Sequence, residues 1–444
     1  MHVGSTYVDS GNQDQMEQTH QVQARQIARD VMVRLAEDDR LCQSIERAKE
    51  QSLGRLQWLP MSVGYGDAGL VIAYSVLSRQ EPNAGWEHVA HRYLERAIRS
   101  YEVMGSRLGS GLFSGLSGLL FATHYASDSR RRYGSTLNVL EDHIIARIKQ
   151  WPYSMEQTEI PVEAYDLVSG ATGIAACLLS VYEEGGHEHD TLMDVLDWII
   201  GRALKGPIGF CVSPEDAHIY MPYAKTAVVN FGMAHGIPGI IAVLALAKIG
   251  GIQRSGLDDT IKRLSNWVAS LIDSNTKTGW MVPYSARVEE DGVISDPKIA
   301  RVAWCYGLPG IARALWLAGE ALGDRNAQRF SEDALCAAVE QMTVDISSYS
   351  PTFCHGLAGV LRIVQVFAKN TGDKRFDRLS ATLTDAVISA YTPETLLGFR
   401  AREDDNTIVD NSGLLNGSIG TALVLLSGNE PNRALGWDRV FLLN

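Results

Sequence analysis

Strongly apolar stretches recur along the chain at wide, fairly even intervals: GLVIAYSVL, GLLFATHYA, GIAACLLSVY, GIIAVLALAKIG, GIARALWLAGEAL, GVLRIVQVFAK and GTALVLL. Helices apolar on most sides belong in an interior. Between them lie segments such as VQARQIARDVMVRLAEDD, TLNVLEDHIIARIKQ, LDDTIKRLSNWVASLID and KRFDRLSATLTDAVISAY, whose apolar residues recur at three- and four-residue spacing. That spacing predicts amphipathic helices with one face turned outward. The two kinds alternate from one end of the chain to the other.

Each apolar stretch is introduced by the same short signature, G-x-x-G, at Gly66, Gly115, Gly170, Gly236, Gly307, Gly356 and Gly417, with first glycines 49 to 71 residues apart. Each interval accommodates about two helices, the mark of a helical repeat. Seven inner and seven outer helices predict an all-α protein, either an open solenoid or a closed ring. The ring is favoured because GTALVLL, in the last repeat, is as apolar as the middle ones, whereas an open array needs a polar cap at its end. In a ring the signature loops converge on one mouth. The two longest intervals hold strand- or turn-rich material at about 207–229 and 279–301, read as insertions near that mouth. The aromatic and apolar residues of GWMVPYSARVEEDG make them a candidate peptide platform. Residues 1–20 read as a polar, disordered tail and 21–444 as one domain.

Composition narrows the function. A formal charge of −12, without basic clusters, disfavours nucleic acid and anionic membrane surfaces as partners. The polar N-terminal stretch lacks the basic head and apolar core of a secretory signal, and no apolar run approaches the roughly 20 residues that span a bilayer. Six cysteines scattered over 444 residues form no disulfide framework, so a reducing, cytoplasmic setting is expected.

Three signatures carry metal-ligand residue types just before the first glycine: AHGIPG at His235, WCYGLPG at Cys305, and FCHGLAG at Cys354 and His355. A buried cysteine or a lone histidine is usually structural. Two cysteines at equivalent repeat positions, with a histidine adjacent, instead fit a zinc site with three protein ligands and an open fourth position. Cys42, Cys177, Cys211 and Cys336 lie away from the signatures and are assigned to packing.

These motifs, in this order and over nearly the whole chain, resemble those of the lanthionine synthetase C-like family. The resemblance implies an α/α toroid with one zinc held by Cys305, Cys354 and His355. It also implies a cyclase that closes lanthionine and methyllanthionine rings, by Michael addition of cysteine thiols to dehydroalanine or dehydrobutyrine in a precursor peptide. His235 then serves as acid or base and Asp166 orients it or manages a proton, although an aspartate there can equally cap a helix. Arg301 and Tyr306 match family positions that would stabilise the enolate, and Trp304 is a candidate peptide contact, or else packs against the helix. Alternatives are transfer of glutathione to dehydrated residues and a zinc-bearing peptide scaffold without catalysis. An unrelated toroid such as a terpene cyclase is disfavoured, since no acidic diphosphate-binding cluster is evident. With no dehydratase segment ahead of the repeats, a stand-alone cyclase is expected. Its implied partners are a separate dehydratase and an exporter, in a complex that would bring a cytoplasmic enzyme to the membrane periphery.

Overall fold

Every signature starts an inner helix. In the computed structural model, which describes residues 10–186, 189–217, 226–274, 280–288, 294–403, 405–428 and 436–444, these helices run Asp67–Gln80, Leu116–Ala126, Ala171–Glu183, Ile237–Ile249, Leu308–Leu322, Leu357–Thr371 and Ser418–Ser427. Residues 237–247 of the fourth are all buried, as its uninterrupted apolar sequence requires. The outer helices are Ser10–Ala36, Trp86–Met104, Gly134–Ile148, His189–Leu204, Leu257–Ser270, Arg325–Thr343 and Lys374–Ser389. Leu257–Ser270 buries only Leu257, Thr260, Ile261, Leu264 and Val268, one stripe of an amphipathic helix. Asp324 and Asp373 cap the last two by accepting from backbone N–H groups of the first turn.

Consecutive inner helices pack side by side, and the seventh, Ser418–Ser427, packs against the first, Asp67–Gln80. Outside, Ser10–Ala36 packs against both Lys374–Ser389 and Ser418–Ser427. The repeat is a closed α/α toroid, as the apolar last repeat predicted. Ser10–Ala36 starts before residue 21, so residues 10–20 of the expected tail carry helical backbone; this stretch contains good helix formers and no proline. Residues 1–9 lie outside the described residues. One further helix, Asp38–Gln51, falls outside the alternation and packs on the hairpin Ala401–Arg402 and Ile408–Val409. Among the described residues no helix is long and apolar enough to cross a membrane.

The two expected insertions form a single sheet. Strand Val228–Asn230 pairs antiparallel with Pro283–Val288, which pairs with Ile294–Ile299. Residues 218–225, 279 and 289–293 of those insertions lie outside the described residues. The sheet reaches the mouth, where Phe231 N–H donates to the Tyr284 carbonyl at 2.8 Å and the Tyr284 ring meets Tyr306 edge-on at 5.6 Å.

The toroid is filled beneath its mouth. The turn Trp437–Phe441 enters the centre, where Phe441 stacks on Phe353 with ring centroids 3.8 Å apart and meets Trp304 edge-on at 5.0 Å. Polar anchors hold it: Arg313 Nε donates to the Leu443 carbonyl at 2.8 Å, and Arg362 Nε pairs with Asp438 at 2.7 Å.

The second glycine of every signature lies on a backbone carbonyl. A Cβ at Gly69, Gly118, Gly173, Gly239, Gly310, Gly359 or Gly420 would come within 3.0 Å of the carbonyl oxygen six residues earlier. Gly420→Ala is therefore expected to destabilise the protein by about 1–3 kcal/mol or more. Gly134→Ala, at a position with nothing within 4 Å of the added carbon, should stay within about 0.5 kcal/mol of wild type. Thermal unfolding of the two variants checks the contrast.

Candidate active site and metal centre

The loops meet through backbone hydrogen bonds that run around the mouth and return to their start. Gly64 N–H donates to Phe113 O (3.1 Å), Phe113 to Val168 (3.0 Å), Leu167 to Ala234 (3.1 Å), Ala234 to Cys305 (3.3 Å), Cys305 to Cys354 (3.1 Å), Cys354 to Leu415 (2.9 Å), and Leu415 to Gly64 (3.2 Å). In every repeat the bonded residue stands two before the first glycine, or three at Leu167. In six repeats the next residue sits at the rim, as Tyr65, Ser114, Ser169, His235, Tyr306 and His355; in the seventh, Asn416 is buried and Leu415 is the partly exposed residue. The first glycine after it is buried in each repeat. Residues from distant parts of the chain thus become neighbours on one rigid circle.

Cys305 and Cys354 occupy the same position on adjacent loops, and His355 follows on the rim. Their ligand atoms all lie within 4.8 Å of one another. A tetrahedral zinc with bonds of about 2.0–2.3 Å spaces its donors about 3.5–4 Å apart, so small side-chain movements suffice to close on one ion. The chemistry of the donors agrees: the Cys305 thiol is pulled down to about 5, first by its hydrogen bond with Cys354, against the opposing effect of burial, and then by His355 and the charge of Arg301. A thiol ionised that readily is suited to bind a metal. Arg301 itself is exposed, at the end of the sheet.

Beside the cluster, His235 Nδ1 and Asp166 Oδ2 are 2.6 Å apart. The other oxygen of Asp166 accepts from Ser169 N (2.7 Å) and Gly170 N (2.9 Å), loop groups that precede the third inner helix, so Asp166 fixes the loop and does not cap the helix itself. Asp166 is buried and its partner keeps a quarter of its side chain exposed, so the pair presents the imidazole to the mouth. Burial opposes the charged imidazole, but the hydrogen bond and charge of Asp166, with smaller effects from Cys305 and Glu163, raise the His235 pKa above its ordinary value. Tyr306 stacks on His235 with centroids 5.9 Å apart.

Trp304 needs correction. Its side chain is fully buried, donates from Nε1 to Phe441 O at 3.1 Å, and packs among Phe113, Phe353 and Phe441. It offers no surface to a peptide; it stands three residues before its first glycine, where side chains point into the toroid rather than to the rim. Asn230, which the sequence reading passed over, fixes Tyr306: its Nδ2 donates to the Tyr306 hydroxyl at 3.0 Å while its Oδ1 accepts from Gly232 N at 2.8 Å. The available signal was the triplet Asn230-Phe231-Gly232 just ahead of the fourth signature.

The family described as lanthionine synthetase C-like protein matches residues 57–442. A curated relative, the nisin biosynthesis protein NisC of Lactococcus lactis subsp. lactis, is 23% identical over 300 residues, 65% of this chain and 70% of that protein. Among solved structures, a nisin cyclase superposes with a TM-score of 0.71 at 20% identity, covering 91% of this chain and 97% of the other.

Because the His235 pKa is raised on folding, the stabilisation from its pairing with Asp166 is complete below the ordinary imidazole value of 6.5 and is lost as pH rises through the higher folded value. Asp166→Asn is expected to lower the folded pKa of His235, followed through its ring protons in an NMR titration. An unchanged titration would contradict the assigned pairing.

Proposed function

Because the chain belongs to the lanthionine synthetase C-like family, we propose that it is a zinc-dependent cyclase that closes lanthionine or methyllanthionine rings in a dehydrated precursor peptide. The observation that carries this reading is the convergence, on one hydrogen-bonded circle of loops, of a Cys305–Cys354–His355 donor set and a histidine held by a buried carboxylate. The similarity of its fold to that of a nisin cyclase points the same way.

Cys305, Cys354 and His355 would hold the zinc, which when bound would lower the pKa of a substrate thiol and make thiolate available near neutral pH. The substrate sulfur then adds to the β-carbon of the dehydro residue, and the electron pair of the carbon–carbon double bond moves onto the adjoining carbonyl as an enolate. A proton delivered to the α-carbon completes the ring with no net change in mass. His235, oriented by Asp166, moves that proton. Tyr306, held by Asn230 on one side and stacked on His235 on the other, is placed to donate to the enolate oxygen. Arg301 adds positive charge at the same edge. The sheet that joins the two insertions supplies a wall beside Tyr306 along which peptide can lie. The dehydro residues require a dehydratase upstream and the product an exporter, the partners proposed for a peptide-processing complex at the cytoplasmic side of a membrane.

On a dehydrated, cysteine-containing peptide, the wild type should consume free thiols without changing the peptide mass, as counted by alkylation and mass spectrometry. Cys354→Ala should lose both bound zinc and cyclisation. His235→Asn should keep the zinc and lower kcat by about 100- to 10,000-fold. Persisting thiols with zinc-loaded wild type would sink the cyclase reading.

A further inference from the structure

The loop geometry that positions Tyr306 occurs a second time. Asn-x-Gly stands six residues before the first glycine in two repeats, at Asn230-Phe231-Gly232 and at Asn411-Ser412-Gly413. Both asparagines are buried, and each accepts with Oδ1 from the N–H of its glycine at 2.8 Å. The next loop around the circle carries a rim tyrosine in each case: Tyr306 after the fourth loop and Tyr65 after the seventh. Each ring lies over the preceding loop's glycine, so that a Cβ on Gly232 would stand 2.6 Å from Tyr306 Cδ1, and one on Gly413 would stand 2.9 Å from Tyr65 Cδ1. Two copies of one nest therefore flank the metal-ligand loops, Tyr306 on the His235 side and Tyr65 on the other.

The copies differ in one respect. Asn230 Nδ2 donates to Tyr306, whereas Asn411 Nδ2 is buried and has no hydrogen-bond partner among the described residues, and neither does the neighbouring Asn416 Oδ1. A buried amide without a partner is costly, and where one persists it commonly serves a ligand or a movable neighbour. Tyr65 lies within electrostatic reach of the cluster: burial pushes its phenol pKa up, and the charges of Cys354, Glu403 and Cys305 push it further. Tyr65 offers a phenol donor at the rim, with the unused Asn411 amide buried in the loop beneath its ring. The surrounding carboxylate and thiolates would repel an anion, which leaves a neutral acceptor as the matching group.

We propose that Tyr65, seated over the Asn411–Gly413 loop, donates a hydrogen bond to a backbone carbonyl of the peptide strand whose cysteine enters the metal cluster. The proposal rests on the metal-site reading above. It divides the mouth: Tyr306 and His235 face the dehydro residue, and Tyr65 grips the strand that brings the thiol.

The test uses the full chain with cobalt(II) in place of zinc and follows thiolate-to-cobalt absorption during titration with N-acetylcysteine N-methylamide, which carries flanking amides, or with 2-mercaptoethanol, which has none. Wild type should favour the cysteine amide. Tyr65→Phe should weaken binding of that amide about three- to tenfold and leave 2-mercaptoethanol binding unchanged, which also reports an intact site. Asn411→Asp, which keeps the acceptor for Gly413 N and removes the donor, should shift the preference in the same direction. A wild type without preference, or variants that keep the wild-type ratio or weaken both thiols equally, overturns the pair while leaving the metal site standing. If neither thiol ligates cobalt in the wild type, the metal-site reading itself fails and this proposal with it.

Discussion

A circuit of seven backbone hydrogen bonds, passing from loop to loop and closing between Leu415 and Gly64, is the constraint on which the rest of the structure depends. It exists only because the seventh inner helix returns to pack against the first. It also demands that each loop cross the start of its own helix at van der Waals contact, which is why the second glycine of every signature has no room for a side chain. Backbone groups buried at such a junction must be paired, and here they pair with the neighbouring loop, so the packing of fourteen helices fixes the positions of rim residues that are hundreds of positions apart in sequence.

Three consecutive positions on each loop then have three different environments. The residue three before the first glycine points into the toroid and packs on the next repeat, where Trp304 and Phe353 close around Phe441 to make a solid floor. The residue two before joins the circuit, and the residue one before faces the mouth in every loop but the seventh, where Asn416 is buried. Cys305 and Cys354 lie at the second kind of position and His355, His235 and Tyr306 at the third, so the candidate chemistry rests on a rigid floor and projects into one opening. Preorganisation of this sort favours placement of charge and protons over flexible adjustment. Asp166 ties the two levels together, holding the loop at Ser169 and Gly170 with one oxygen and pairing with His235 through the other.

Much of this was legible in the sequence because repetition is a long-range signal. The seven signatures and the alternation of apolar and amphipathic stretches gave the number of inner and outer helices, and the apolar last repeat pointed to closure. Cys305, Cys354 and His355 stood out as unusual residues at equivalent positions, and the structure brings their donor atoms together. What was not legible depended on side-chain direction and on contacts between repeats. Trp304 reads as a possible peptide contact next to Cys305, yet one step along the loop turns it into the core. Asn230 is an ordinary polar residue until Tyr306, from the next repeat, comes to rest against it. The pairing of the two insertions into one sheet likewise joins segments separated by a complete helical pair.

The most direct test of the central claim is zinc X-ray absorption on the purified full chain, before and after addition of a cysteine-containing precursor peptide. The account requires one zinc per chain with two sulfur ligands, one imidazole and one light atom, which becomes three sulfurs and one imidazole when the peptide thiol enters. Absence of zinc from folded, unstripped protein, or a sulfur count that does not rise with the peptide, would contradict it.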